Sequence, residues 1–250
     1  MSKNCLNCQQ PLEQNFCPHC GQKATTHRYS LKQFFVQDFT RAVLNLEKGF
    51  FYTMKELFTR PGHSIREYVM GKRAKHFNFF TFIILIITIG HLIAEYFNFS
   101  MIDVAYYSDD KESLTVLEKV SKESPKLFKL AQIPFFAIFS FLIFKKSKQN
   151  FTEHLVLNSY KISAELVILI VCSMLTIFYK NVPEIDYIFR AISLILLIYS
   201  TCFYYQYFSP FGYSKVELFF RSLVTSLIIN VIIAAVTMFA IGMKQGFEGR

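Results

Sequence analysis

Residues Phe79–Ile89 read FFTFIILIITI, a run whose only polar side chains are Thr81 and Thr88. A helix that meets water keeps a polar face, and this one has almost none. The charge-free stretch extends from Asn78 to Ala94, between the basic Lys75 and Glu95. It shows no period-two alternation, which argues against a strand. A hydrocarbon layer about 30 Å thick needs about 20 helical residues, with about 17 to 25 usual. We therefore read this stretch as a transmembrane helix rather than a core helix of a soluble all-α protein.

Working outward, four more charge-free runs follow: Leu130–Phe144, Leu166–Tyr179, Ala191–Ser214 and Ser222–Met243. The third extends back through Glu165 to Ile162. Spans are expected near 78–96, 128–144, 162–179, 189–208 and 220–243. The second is short and contains Pro134, and the second and third need Lys129, Lys145 and Lys161 to snorkel to the interface. Composition agrees: 52% of the 250 residues are hydrophobic and only 18% are charged, against about 25% in soluble domains. That excludes a disordered, collagenous or disulfide-stapled chain. The expected fold is an all-α membrane protein. About five transmembrane helices (residues 77–250) are preceded by a small four-Cys zinc ribbon (1–25) and amphipathic juxtamembrane helices (26–76).

Orientation follows from Lys and Arg in the loops. Lys72, Arg73 and Lys75 precede the first span, while the next loop carries Asp103, Asp109, Asp110, Glu112, Glu118 and Glu123. Lys145, Lys146, Lys148 and Lys161 follow the second run; Glu184 and Asp186 beside Lys180 follow the third; Lys215 and Arg221 follow the fourth. This alternation puts the N-terminus in the cytosol and the C-terminus outside, across a cytoplasmic (inner) membrane. The polar, Cys-rich N-terminus does not read as a signal peptide, so the first span serves as the insertion signal.

Cys5-x2-Cys8 and Cys17-x2-Cys20 are the strongest motif in the chain. Each Cys-x2-Cys turn offers two sulfurs, and four thiolates close a tetrahedral Zn²⁺ site, which makes it structural. Gly21 suits the left-handed position of the second knuckle, whereas Gln9 takes the equivalent place in the first. Disulfides would not persist in the cytosol, and a redox pair lacks its βα setting. An Fe–S cluster remains open beside zinc. His19 is a bystander, and Cys172 and Cys202 fall within the apolar runs. A ribbon of about 20 residues has too little core to fold without its metal.

Between ribbon and membrane, Ser30 and Gln33 fit a capping box. Leu31, Phe35, Phe39, Val43, Leu46, Phe50, Met54 and Leu57 recur at helical spacing. Arg41, Lys48 and Lys55 form a basic stripe. Pro61-Gly62 is expected to end this unit, with a short helix from about His63 to Met70 and Gly71 as its stop. The basic groups fit anionic lipid; Asp38, Glu47 and Glu56 interrupt them, which argues against nucleic acid.

The order of motifs resembles a known family. Phe16-Cys-Pro-His-Cys-Gly-Gln22 is followed by a Phe-rich amphipathic stretch, Arg60-Pro61-Gly62, Ile65-Arg66-Glu67-Tyr68, Gly71-Lys72-Arg73 and Phe79–Phe82. These resemble the domain of unknown function 3667 family, bacterial membrane proteins with an N-terminal zinc ribbon. The likeness is specific over Cys5 to Phe82 and continues loosely through Phe151-Thr152-Glu153-His154-Leu155. His76-Phe77-Asn78 departs from the aromatic-proline pair the family leads one to expect. The resemblance implies an architecture and no activity.

Few ionisable groups fall inside the runs. Lys161 and Glu165 read as an interfacial i,i+4 pair, and Arg190 and Arg221 as snorkelling residues. His91 and Glu95 lie at the outer end of the first span. Ser222, Ser226, Asn230 and Thr237 share one face of the fifth and read as interhelical contacts. Tyr204, Tyr205, Tyr207, Phe208, Phe211 and Tyr213 read as an aromatic belt. Glu153-His154, expected in a cytosolic loop, is the one adjacent acid and imidazole, and neighbours on a helix point apart. The expected function is a non-enzymatic scaffold whose cytosolic ribbon and amphipathic helices dock a protein partner or anionic lipid. A small transporter or lipid-handling protein, using His91, Glu95, Asn230 and Tyr204, is the alternative; homo-oligomerisation stays open.

Overall fold

A computed structural model describes residues 4–26, 28, 29, 49–97, 125–176 and 182–228. The Ser30–Gln33 cap, Arg41 and Lys48, the acidic loop and the second half of the fifth run, with Asn230 and Thr237, lie outside these residues. Among the described residues the regular structure is helical, apart from two single antiparallel bridges in the ribbon.

Helix α1 spans Phe50–Thr59 and α2 spans Pro61–Val69. Arg60, at φ −140 and ψ 53, breaks the chain between them. Pro61 then opens α2, where its missing N–H costs nothing. The Pro-Gly pair expected to stop a helix therefore starts one. Phe50, Met54 and Leu57 turn the apolar face of α1 inward, with Leu57 fully buried. Gly71, at φ +115, ends this hairpin in the left-handed region that favours glycine.

Helix α3 covers Phe79–Tyr96. The Asn78 side chain caps it, accepting from the N–H groups of Phe80 and Thr81 at 2.9 and 3.3 Å. One face, including Phe82, Ile83 and Ile86, is buried, while Ile84, Ile89 and Leu92 lie exposed on the other. Helix α4 spans Pro125–Ile143 and continues through Pro134. A 3-10 turn, Lys145–Ser147, leads towards α5, Phe151–Thr176. Helix α6 is Val182–Phe208, and α7 runs over 215–228. Exposed apolar side chains recur on α4 (Phe135, Ile138), α6 (Leu194, Ile198) and α7 (Phe219, Phe220, Val224). Apolar outer faces on helix after helix suit lipid rather than water.

Among the described residues, three helical segments are long and apolar enough to cross a membrane: Phe79–Tyr96, Phe151–Cys172 and Arg190–Phe208; Leu130–Ile143 is a shorter apolar helix. The third expected span begins at Phe151, not Ile162. The charges read as its boundary pair with each other, Lys161 Nζ lying 2.7 Å from Glu165 Oε1, so the helix passes through them. This helix is the hub of the bundle. Two-thirds of its apolar window is buried (67%), against 33% for α3 and 39% for that of α6.

Helix α6 runs antiparallel to α5, with Tyr204 at Asn158 and Ile192 at Leu169. Helix α4 places Phe136 over Lys161 and stacks Phe144 on Phe208. The starts of α3, α5 and α7 and the ends of α4 and α6 thus gather at one end, which we call the ribbon end. Arginines close the open carbonyls there. Arg66 donates to Gln206 O and Tyr207 O at 2.7 and 3.1 Å, and Arg221 to Ile143 O at 2.6 Å.

Candidate metal centre and polar stripe

The two Cys-x2-Cys turns fold alike. Cys5 N–H donates to Gln10 O and Gln9 N–H to Cys5 O; Cys17 N–H donates to Gln22 O and Gly21 N–H to Cys17 O, all within 2.8–2.9 Å. Gln9 at φ +64 matches Gly21 at φ +72. The turns face each other, with Cys5 Sγ 3.6 Å from Cys20 Sγ and Cys8 Sγ 3.5 Å from Cys17 Sγ. All four sulfurs lie within 4.8 Å of one another. A Zn–S bond of about 2.3 Å implies tetrahedral S···S edges of about 3.8 Å, so the set could hold one such ion. The same spacing exceeds a disulfide bond of about 2.05 Å.

Gln9 pays a conformational penalty that glycine escapes. Gln9→Gly is therefore expected to stabilise the ribbon by about 1 kcal/mol, read as slower metal loss to a chelator competing at fixed concentration.

The cluster is fastened to the bundle. The Gln22 side chain donates to Gly71 O at 2.8 Å and accepts from Arg73 N–H at 3.0 Å. Leu6 lies against Gly71, so close that an added Cβ would sit 2.8 Å from Leu6 Cδ1. Beyond the last cysteine, the Arg28 guanidinium holds Glu153 through two bonds of 2.7 and 2.8 Å. Tyr29 is buried, bonded to Tyr68 and covered by Arg73, 3.7 Å above its ring. The basic lead-in to α3 is thus part of the ribbon's seat: Lys72 pairs with Glu67 at 3.5 Å, and Arg73 lies over the Tyr29 ring with Tyr68 beside it.

His76 sits beneath this seat, its Nε2 2.8 Å from Ser64 Oγ and its ring packed on Tyr52 and Tyr68. Burial pushes it from the ordinary 6.5 down to about 4. Folding therefore favours the neutral ring, and the unfolded chain binds the extra proton. Stability is complete above pH 6.5 and falls as the pH drops from 6.5 towards 4, by up to about 3 kcal/mol. Thermal unfolding of the purified protein between pH 7 and 5 should show this slope, and His76→Gln should flatten it.

A second cluster lies within the candidate span of α5. His154 Nδ1 is 2.9 Å from Ser140 Oγ, and Asn158 Nδ2 donates to the same oxygen at 2.9 Å. Tyr204 OH donates to Asn158 Oδ1 at 2.6 Å. One turn on, Lys161 is 1% exposed, paired with Glu165 and 3.8 Å over the Phe136 ring. Lys161–Glu165 thus falls within a candidate span, Phe151–Cys172, rather than at the edge of the apolar helix.

Other expected sites separate. Glu153 and His154 are buried within α5 rather than in a loop, one held by Arg28 and the other by Ser140. They diverge, so they make no joint acid–base pair. His91 Nε2 and Glu95 Oε2 lie 3.9 Å apart with exposed side chains. Tyr204, Tyr207 and Phe208 are fully buried in the core rather than forming an interfacial belt.

Fold and site together define a helical, membrane-type protein with a four-cysteine cluster near its N-terminus. Residues 47–97 match the family model for a protein of unknown function (DUF3667), and the match supports membership in that family. The matched segment covers α1, α2, the ribbon's seat and α3. No curated protein and no solved structure matches the chain.

Proposed function

We propose that the chain is a non-enzymatic scaffold of a bacterial inner membrane, with a zinc-held cytosolic ribbon as its docking module. One observation carries this reading: Gln22 clamps the backbone of Gly71 and Arg73, so the ribbon is rigidly seated where the chain enters its first apolar helix. A protein bound to the ribbon is then held in fixed register with the spans. Phe16, 57% exposed on the ribbon, offers an apolar anchor. Exposed Lys75, Lys145, Lys148 and Lys215 around the ribbon end suit anionic lipid headgroups.

The test is affinity purification from membranes in mild detergent, measuring co-purifying proteins, lipids and zinc. Cys17→Ser is expected to insert normally yet lose the protein partner. Identical partner sets for wild type and variant would refute the reading. The alternative, a small transporter, draws support from the Lys161–Glu165 pair inside a candidate span.

A further inference from the structure

His154, Asn158, Lys161 and Glu165 follow one another on α5 at steps of four, three and four. That spacing places them on one helix face. At 1.5 Å per residue the stripe rises about 16 Å along α5, within the candidate span Phe151–Cys172. Ser140 from α4 and Tyr204 from α6 complete it.

Past Glu165 the chemistry changes. Leu169 and Ile192 form a separate apolar cluster with Cys172, Ile188 and Leu196. One face of α5 is therefore polar as far as the ion pair, within an otherwise aromatic interior of Phe136, Phe144 and Phe208, and Leu169 continues that face as apolar.

Packing alone gives no reason for this arrangement. Apolar side chains of similar volume often replace a buried ion pair without loss, and inside a membrane the pair is costlier still. The groups facing the pair are Phe136 from α4 and Tyr199 and Tyr204 from α6, none of them charged. On α5 itself the nearest further titratable group of the stripe is His154, and α3 carries no charge before His91. Each partner is the other's sole counter-ion among the described residues. At the start of the stripe, His154 is fully buried and its Nε2 has no hydrogen-bond partner among the described residues.

We propose that Lys161–Glu165 is a proton-exchange site in which the Glu165 carboxylate, its side chain 19% exposed, takes the proton while Lys161 stays buried, with the Leu169–Ile192 cluster one turn beyond. In the step itself a hydronium ion gives its proton to the Glu165 carboxylate, leaving water and a neutral carboxyl group. Lys161 keeps its charge over the Phe136 ring and loses its ion pair; loss of the proton restores it. This site is independent of any partner docked on the ribbon.

The experiment uses the full chain in sealed vesicles. Infrared difference spectra on acidification should show a carboxylic-acid carbonyl band that is lost in Glu165→Gln and kept in Glu95→Gln. The double variant Lys161→Met/Glu165→Met, which a purely structural pair tolerates, should fold with unchanged helix content and lack the band. A band that persists in Glu165→Gln overturns the proposal. This readout does not involve the ribbon, so its failure is separate from failure of the docking role.

Discussion

Cys17→Ser is expected to empty the metal site and unfold the ribbon while leaving the spans in the membrane. Cys17 is 2% exposed, and its Sγ lies 3.5 Å from that of Cys8 in the facing turn. Serine offers a harder, poorly ionised ligand in its place. Apart from its cysteines the ribbon buries little, chiefly Ala24 and Gln22, so a metal held by the four thiolates would supply the folding energy. Structural zinc in small domains contributes about 10–16 kcal/mol, far more than this unit holds otherwise. Metal content should fall from about one ion per chain to near none. Trypsin should then cut at Lys23 and Arg28, while the apolar helices remain in the membrane fraction.

Gly62→Val is the second large effect. A Cβ on Gly62 would lie 2.3 Å from both Phe203 O and Tyr207 N and 2.6 Å from Gln206 Cβ. Two of those atoms are backbone of α6 and cannot swing aside. Helix α2 would have to lift away, taking with it the Arg66 cap on α6 and the Gly62 N–H bond to Gln206 Oε1. A loss of about 4 kcal/mol is expected, seen as a lower unfolding temperature in detergent and faster exchange of α2 amides. Gly62→Ala should behave nearly as badly, because the collision is with Cβ itself.

Much of this fold is written locally in the chain. The run around Phe79–Ile89 is so uniformly apolar that length and missing charge suffice to place α3, and Asn78 is a readable cap. The four cysteines were equally legible, since spacing alone brings two pairs to one ion. Where the reading went astray, the deciding partner lay far away in sequence or on another helix. Lys161 and Glu165 looked like a boundary because a charge near an apolar run ends it unless something neutralises it. That something is each other, with Phe136 beneath. The 154-158-161-165 spacing is nevertheless visible in the chain. Gln9 hides the likeness of the two knuckles, because a left-handed residue is inferred from glycine. Pro61-Gly62 reads locally as a stop, whereas Gly62, lacking a Cβ, lets α2 press on the backbone of α6. The clamp of Gln22 on Gly71 and Arg73 joins positions 49 and 51 residues apart, and no local pattern announces it.

The central claim is that a metal-held ribbon grips the chain at Gly71–Arg73, just before it enters the bundle. Amide hydrogen exchange at Arg73, whose N–H is held by the Gln22 side chain, tests this directly in the purified protein, with and without a zinc chelator. Strong protection is expected in the metal-loaded protein, lost on chelation and regained on adding zinc. Gln22→Ala should lose it with the metal still bound. Equal protection in all of these states would contradict the account.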